Sequence, residues 1–184
     1  METNQHPHHP PTEVRLGIDI GRVIIDGSSH PDGDDTAFFR GGVENALRTP
    51  AMPGALDSIT HLAPRFDGRV WLVSKCGERV AERSRAWLRH HRFFETTGID
   101  PEHLRFCRQR PEKAIHCAEL AITHFVDDRL DVLDALDVLV PHRFLFGPQK
   151  AGTPRRPGVV PVLTWAAVEE AVHATLAARQ RSSS

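Results

Sequence analysis

The sequence predicts an α/β protein. A mostly parallel central sheet is covered by helices on both faces, in a Rossmann-like three-layer α/β/α arrangement with a small cap insertion after the first strand. Three observations carry this. Short apolar runs recur along the chain and read as buried strands. Stretches with apolar residues at helical spacing alternate with those runs. Several runs end in an acid or a small polar residue, as strands do at the carboxyl edge of a parallel sheet, where open α/β sheets bind ligands.

Residues 1–12, METNQHPHHPPT, are polar and proline-rich and read as a disordered tail. A single domain is expected over 13–178, with a fraying tail at 179–184. The first strand spans 15–19 and ends in Asp19, with Gly21 two residues later. Residues 26–53 form the insertion: they are rich in glycine, aspartate and proline, apart from a short helical piece at 43–47. A helix follows to residue 62, with Leu56, Ile59 and Leu62 at helical spacing. The second strand, 69–74, ends in Ser74. An arginine-rich helix over 77–91 turns Val80, Trp87 and Leu88 inward and leaves Arg79, Arg83 and Arg89 in water. Asp100-Pro101-Glu102 reads as a helix start with proline in the first turn. A strand at 104–107, a helix at 111–120 carrying Lys113, and a strand at 124–126 leading into Asp127-Asp128 come next. Val132, Leu133 and Leu136 mark another helix. Strands at 143–146 and 159–162 precede a last helix over 164–178, capped by Thr164.

With 184 residues the chain suits one domain with a sizeable core. A net charge of −1 offers no bulk electrostatic basis for a nucleic-acid or anionic-membrane partner. No apolar run reaches the roughly 18 residues that span a bilayer. Cys76, Cys107 and Cys117 form no CxxC pair, and no signal peptide is recognisable, so they read as reduced thiols in a cytoplasmic protein. The histidines show no metal-ligand spacing. Lysine occurs only at 75, 113 and 150, which singles out each one.

Asp19, Ser74, Lys113 and the pair Asp127-Asp128 stand in this order at strand ends or a helix start. Singly, each has an ordinary reading: a turn hydroxyl, a solvated lysine, acids capping a helix. Jointly they support one chemistry. A carboxylate attacks phosphorus, a hydroxyl and an ammonium hold the phosphoryl oxygens, and paired acids hold Mg²⁺.

The stretches GIDIGRVI, WLVSKCG, RPEKAIH and FVDDRLDVL, spread over about residues 14–131, resemble the four motifs of the haloacid dehalogenase (HAD) superfamily. FVDDRLDVL, the helix after Trp165 and the modest insertion look most like the cytosolic 5′-nucleotidase branch. The resemblance implies that Asp19 is the nucleophile and a Mg²⁺ ligand, and that Ser74 and Lys113 bind the phosphoryl group. Asp128 would be the main second metal ligand, supported by Asp127, with the backbone carbonyl of Gly21 completing the set. It also implies a small phosphorylated substrate, and a small cap that leaves room for a neighbouring subunit of a homo-oligomer. Lys75, beside Ser74, is either a further contact for the substrate anion or a surface charge. Arg22 either contacts phosphate or pairs with Asp26, and His30 and Arg40 are candidate substrate contacts. Cys76 reads as an inert thiol.

One position departs from the family pattern. Phosphatases of this kind carry a second Asp two residues after the nucleophile, and here that residue is Gly21. General acid–base assistance is typically worth about 10²–10⁴-fold. Asp26, Asp34 or Asp35 are candidate replacements; alternatively, the leaving group needs no proton. Three readings follow: a phosphohydrolase or phosphotransferase with atypical acid–base machinery, a pseudoenzyme that binds a phosphate ligand or protein, or other chemistry on the same nucleophile. The acidic pair argues against dehalogenation, which needs no Mg²⁺. The absence of lysine from the insertion argues against C–P cleavage through a Schiff base.

Overall fold

A computed structural model of the chain describes residues 13–27, 38 and 42–182. The expected N-terminal tail, residues 28–37 and 39–41 of the insertion (with His30, Asp34, Asp35 and Arg40) and the last two residues lie outside the described residues. Six strands form one parallel sheet: β1 (Leu16–Ile18), β2 (Val70–Lys75), β3 (Leu104–Cys107), β4 (His124–Asp127), β5 (His142–Phe146) and β6 (Val159–Val162), in the order β3-β2-β1-β4-β5-β6. The helices are α1 (Val43–Leu47), α2 (Ala55–Leu62), α3 (Glu78–His90), α4 (Phe93–Thr97), α5 (Arg110–Glu119), α6 (Leu130–Ala135) and α7 (Trp165–Ser182). The fold is the Rossmann-like α/β architecture expected from the alternating pattern.

Alternation along the strands divides the core. Leu16, Ile18, Val70, Leu72 and Val126 join a cluster with Ile59, Trp87, Trp165 and Val168, from α2, α3 and α7. Trp71, Val73 and Phe125 point to the other face, where Cys117, Val132 and Leu133 of α5 and α6 cover them. Period-two side chains on a doubly covered sheet require this split.

Close packing within the sheet constrains β1. Gly17 pairs in register with Phe125, and a Cβ at residue 17 would lie 2.4 Å from that ring. Two tryptophans tie the flanking segments down: Trp87 Nε1 donates to Thr49 O (2.7 Å) and Trp165 Nε1 to Val23 O (2.7 Å).

Some expectations are corrected. Asp100-Pro101-Glu102 starts no helix; Glu102 N donates to Asp100 Oδ1 (2.8 Å) in a turn, because β3 begins only two residues later. A short helix, α4, lies just before it instead. Arg83 is buried rather than wet: it stands four residues before Trp87 on the same stripe of α3, and its Nη1 donates to Phe38 O (2.9 Å). The final helix continues to Ser182, past the expected end at 178. Thr164 Oγ1 accepts from Ala167 N (3.2 Å), which is the expected cap.

His124, at the start of β4, is buried between Phe66 and His142, with Nδ1 and Nε2 facing the hydroxyls of Thr123 and Thr175. Burial, then His142 and Arg179, pushes its pKa down to about 3. Between that value and the ordinary histidine pKa of about 6.5 the unfolded chain binds the proton and the folded chain does not, so stability falls as pH drops. Urea denaturation from pH 6.5 to 4 should show a loss approaching about 1.4 kcal/mol per pH unit from this residue alone. His124→Gln should flatten that slope. In a separate test of the close packing, Gly17→Ala should lower stability by about 1–3 kcal/mol through displacement of Phe125.

Candidate active site

β1 lies between β2 and β4, so chain order reverses beside it, the place where open α/β sheets form ligand crevices. Ile18 pairs in register with Leu72 and Val126, and Asp19 N donates to Val126 O (2.9 Å). Asp19 therefore leaves the sheet beside Asp127, the last residue of β4. The chain then turns sharply. Ile24 and Ile25 both donate to Ile20 O (2.9 and 3.0 Å), and Arg22 takes a left-handed conformation (φ 60°). Trp165 holds this turn through Val23 O.

Lys113 arrives from the first turn of α5. Pro111 lies in that turn, and Glu112 Oε2 accepts from Arg108 N (2.9 Å), fixing the helix start at the sheet's carboxyl edge. The Lys113 ammonium is buried and bridges two carboxylates, 2.7 Å from Asp19 Oδ1 and 2.6 Å from Asp127 Oδ2. Burial disfavours its charge, but Asp19 and Asp127 outweigh that and hold its pKa above the ordinary lysine value. The other oxygen of Asp127 accepts from Arg129 N (2.9 Å), so both oxygens of this fully buried carboxylate are engaged. Burial, and then the charge of Asp19, push Asp127 upward. Burial and Asp19 also raise Asp128, while Arg22, Lys113 and Arg129 oppose the rise.

The donors fit a divalent cation. Asp19, Asp127 and Asp128 each offer an oxygen, all within 4.8 Å of one another. Carboxylate oxygens are the ligands hard cations such as Mg²⁺ prefer. Against these three acids the buried cluster holds one ammonium, a formal charge of −2 that a divalent ion neutralises.

A hollow of about 430 Å³ opens over this cluster, lined by Asp19, Gly21, Ser74, Lys75 and Asp128 among others. Of the residues singled out by sequence, Asp19, Ser74, Lys113, Asp127 and Asp128 converge. Lys113 and Asp127 sit beneath the hollow, while Ser74 and Asp128 line it. Lys75 is exposed and on the lining as well. Gly21 is exposed there, and a Cβ at that position meets nothing within 4 Å. Asp26 does not share this hollow; it is buried and lines a second one of about 810 Å³. Cys76 borders the site, and burial, followed by Asp19, pushes its thiol up to about 11, so it carries no thiolate at neutral pH.

Three further residues were not anticipated. Arg129 supplies the amide to Asp127 and lines both hollows; its place directly after the acidic pair was the available signal. Gln149 Nε2 donates to Asp128 O (3.2 Å) from the loop after β5, and Ser84 lines the first hollow from α3. Neither carried a signal in sequence, since each meets the site only through packing.

Solved structures share this architecture. A haloacid dehalogenase-like family hydrolase from Xanthomonas campestris superposes with a TM-score of 0.62 at 14% identity, over 92% of this chain and 99% of that one. A provisionally assigned haloacid dehalogenase-like hydrolase from Burkholderia xenovorans gives a TM-score of 0.59 at 12% identity, over 87% and 96%. Neither a protein-family model nor a curated protein sequence matches the chain. At such identities the likeness is one of fold.

Removing the bridging ammonium should leave two buried carboxylates facing each other uncompensated. Lys113→Met is expected to cost about 3–5 kcal/mol in chemical denaturation, the range for breaking a buried ion pair from one side. In the wild type, Mg²⁺ at 100 times its dissociation constant should raise the melting temperature by about 5–10 °C. Asp128→Asn should remove most of that increment.

Proposed function

We propose that this chain is a cytoplasmic, Mg²⁺-dependent phosphohydrolase or phosphotransferase of the haloacid dehalogenase type, acting through an aspartyl-phosphate at Asp19. The observation that carries the reading is the buried Lys113 ammonium clamped between Asp19 and Asp127 beneath a hollow lined by Ser74 and Asp128. The shared fold supports it.

The roles follow from position. One oxygen of Asp19 is held by Lys113, which fixes the carboxylate and leaves its second oxygen for attack on phosphorus. Ser74, almost buried at the end of β2, offers a hydroxyl to a non-bridging phosphoryl oxygen, and exposed Lys75 adds positive charge at the rim. Asp19, Asp127, Asp128 and the Gly21 carbonyl would hold the Mg²⁺, which when bound neutralises charge between carboxylate and phosphate. The substrate is a small phosphorylated molecule, and the likeness to 5′-nucleotidases adds nucleoside monophosphates to the panel worth assaying.

Gly21 favours a second reading, a pseudoenzyme that binds a phosphate ligand or a protein, because no side chain at that position can protonate a leaving alcohol. A direct experiment separates the two. With Mg²⁺ and an activated aryl phosphate, the wild type should turn over and Asp19→Asn should lose at least about 10³-fold, the scale on which removing a nucleophile acts. Turnover at the Asp19→Asn level across a phosphate panel, together with retained binding of beryllofluoride, would establish the pseudoenzyme instead.

A further inference from the structure

Resting on the Mg²⁺-dependent reading above, we propose that Gln149 is a positioning residue for the cation site. Its side-chain amide holds the peptide group that follows Asp128, and through it sets the preference of the site for Mg²⁺ over a larger divalent ion.

β4 and β5 stay in register as far as Asp127 and Leu145. The next pair along the two strands would be Asp128 and Phe146, and there the ladder stops. Phe146 is still held, because β5 continues against β6 and Phe146 pairs with Val162. Asp128 has left the sheet. Gln149 supplies the missing connection with its side chain: Nε2 donates to Phe146 O (3.0 Å) and to Asp128 O (3.2 Å). Both partners are carbonyls, which only accept, so the amide nitrogen rather than its oxygen must face them, and the two bonds use both of its hydrogens. Gly147 opens the way for this return. Its left-handed backbone (φ 75°), which glycine adopts without steric cost, turns the loop after β5.

The two acids of the pair are held differently. Asp127 is fully buried, with one carboxylate oxygen on Lys113 and the other on Arg129 N. The Asp128 carboxylate accepts no hydrogen bond from the described residues, so its place beside Asp19 and Asp127 is inherited from its backbone. The peptide group joining Asp128 to Arg129 is planar, and both of its polar groups are engaged. Its N–H donates to Asp127 Oδ1 (2.9 Å), and its carbonyl accepts from Gln149. Without Gln149 that plane is held at one end and can rock, carrying the Asp128 carboxylate with it. Such freedom matters more to one ion than to another. Mg²⁺ demands near-ideal octahedral geometry at about 2.0–2.1 Å, whereas Ca²⁺ accepts flexible geometry at about 2.3–2.6 Å. A clamped carboxylate therefore favours the smaller ion.

Calorimetric titration with Mg²⁺ and with Ca²⁺, in the absence of substrate, tests the proposal. Gln149→Met keeps the length of the side chain and removes the donor. It should raise the Mg²⁺ dissociation constant about tenfold, the lower end of the range for groups that orient metal ligands. The Ca²⁺ constant should rise by less than about threefold, because its geometry is more forgiving. Gln149 is exposed, so the melting temperature without cation should fall by no more than about 2 °C. Thr153→Val controls for disturbance of the loop: it removes the bond from Thr153 Oγ1 to Lys150 O (2.7 Å) without touching Asp128. It should leave both constants within about twofold of the wild type. Unchanged Mg²⁺ affinity in Gln149→Met, an equal loss for both ions, an equal effect of Thr153→Val, or a larger loss of cation-free stability overturns the proposal and leaves the Mg²⁺ reading standing. If the wild type binds neither ion, the Mg²⁺ reading itself falls and takes the proposal with it.

Discussion

The site depends on a single buried cation. Lys113 places its ammonium 2.7 Å from Asp19 and 2.6 Å from Asp127. Burying an ion costs several kcal/mol, while each contact at that distance returns on the order of 6 kcal/mol at an effective dielectric near 20. Two carboxylate partners therefore keep the lysine charged, and the lysine in turn allows β1 and β4 to end in acids side by side. One ammonium does not balance three carboxylates, which is why burial and mutual repulsion raise Asp127 and Asp128. The residual negative charge is what fits the cluster to a divalent cation.

The sheet supplies the precision this arrangement needs. Register between β1 and β4 is held by backbone bonds, and by Gly17 making room for the Phe125 ring. The same ring lies 5.7 Å beneath the Lys113 ammonium, so packing within the sheet and placement of the charge are parts of one contact. From the other face, Trp165 holds the turn after Asp19 by its bond to Val23 O. Rigid elements on both sides thus fix the position of the Asp19 carboxylate.

Around this rigid centre the rim is polar and open. Arg22, Lys75 and Arg129 border the hollow, and Gly21 leaves a gap where a side chain would otherwise stand. Cys76, although adjacent, contributes no nucleophile, since burial and the Asp19 charge keep it protonated.

By itself the sequence determined the elements and their order, because period-two and helical spacing of apolar residues reflect local geometry that any buried strand or helix obeys. It also singled out Asp19, Ser74, Lys113 and Asp127-Asp128, since strand ends and helix starts are legible from the same pattern. Local signals failed where chain length or a neighbour decided: Asp100-Pro101 resembles a helix start but has too few residues before β3, and Arg83 looks solvated until Phe38 O is seen to accept from it. Tertiary structure alone decided which acid is buried and which faces the hollow. It alone placed Arg129 and Gln149 against the acidic pair, and put Asp26 on the second hollow rather than the first. These are questions of distance between segments far apart in the chain, and distance is set by sheet order and packing, which no local pattern encodes.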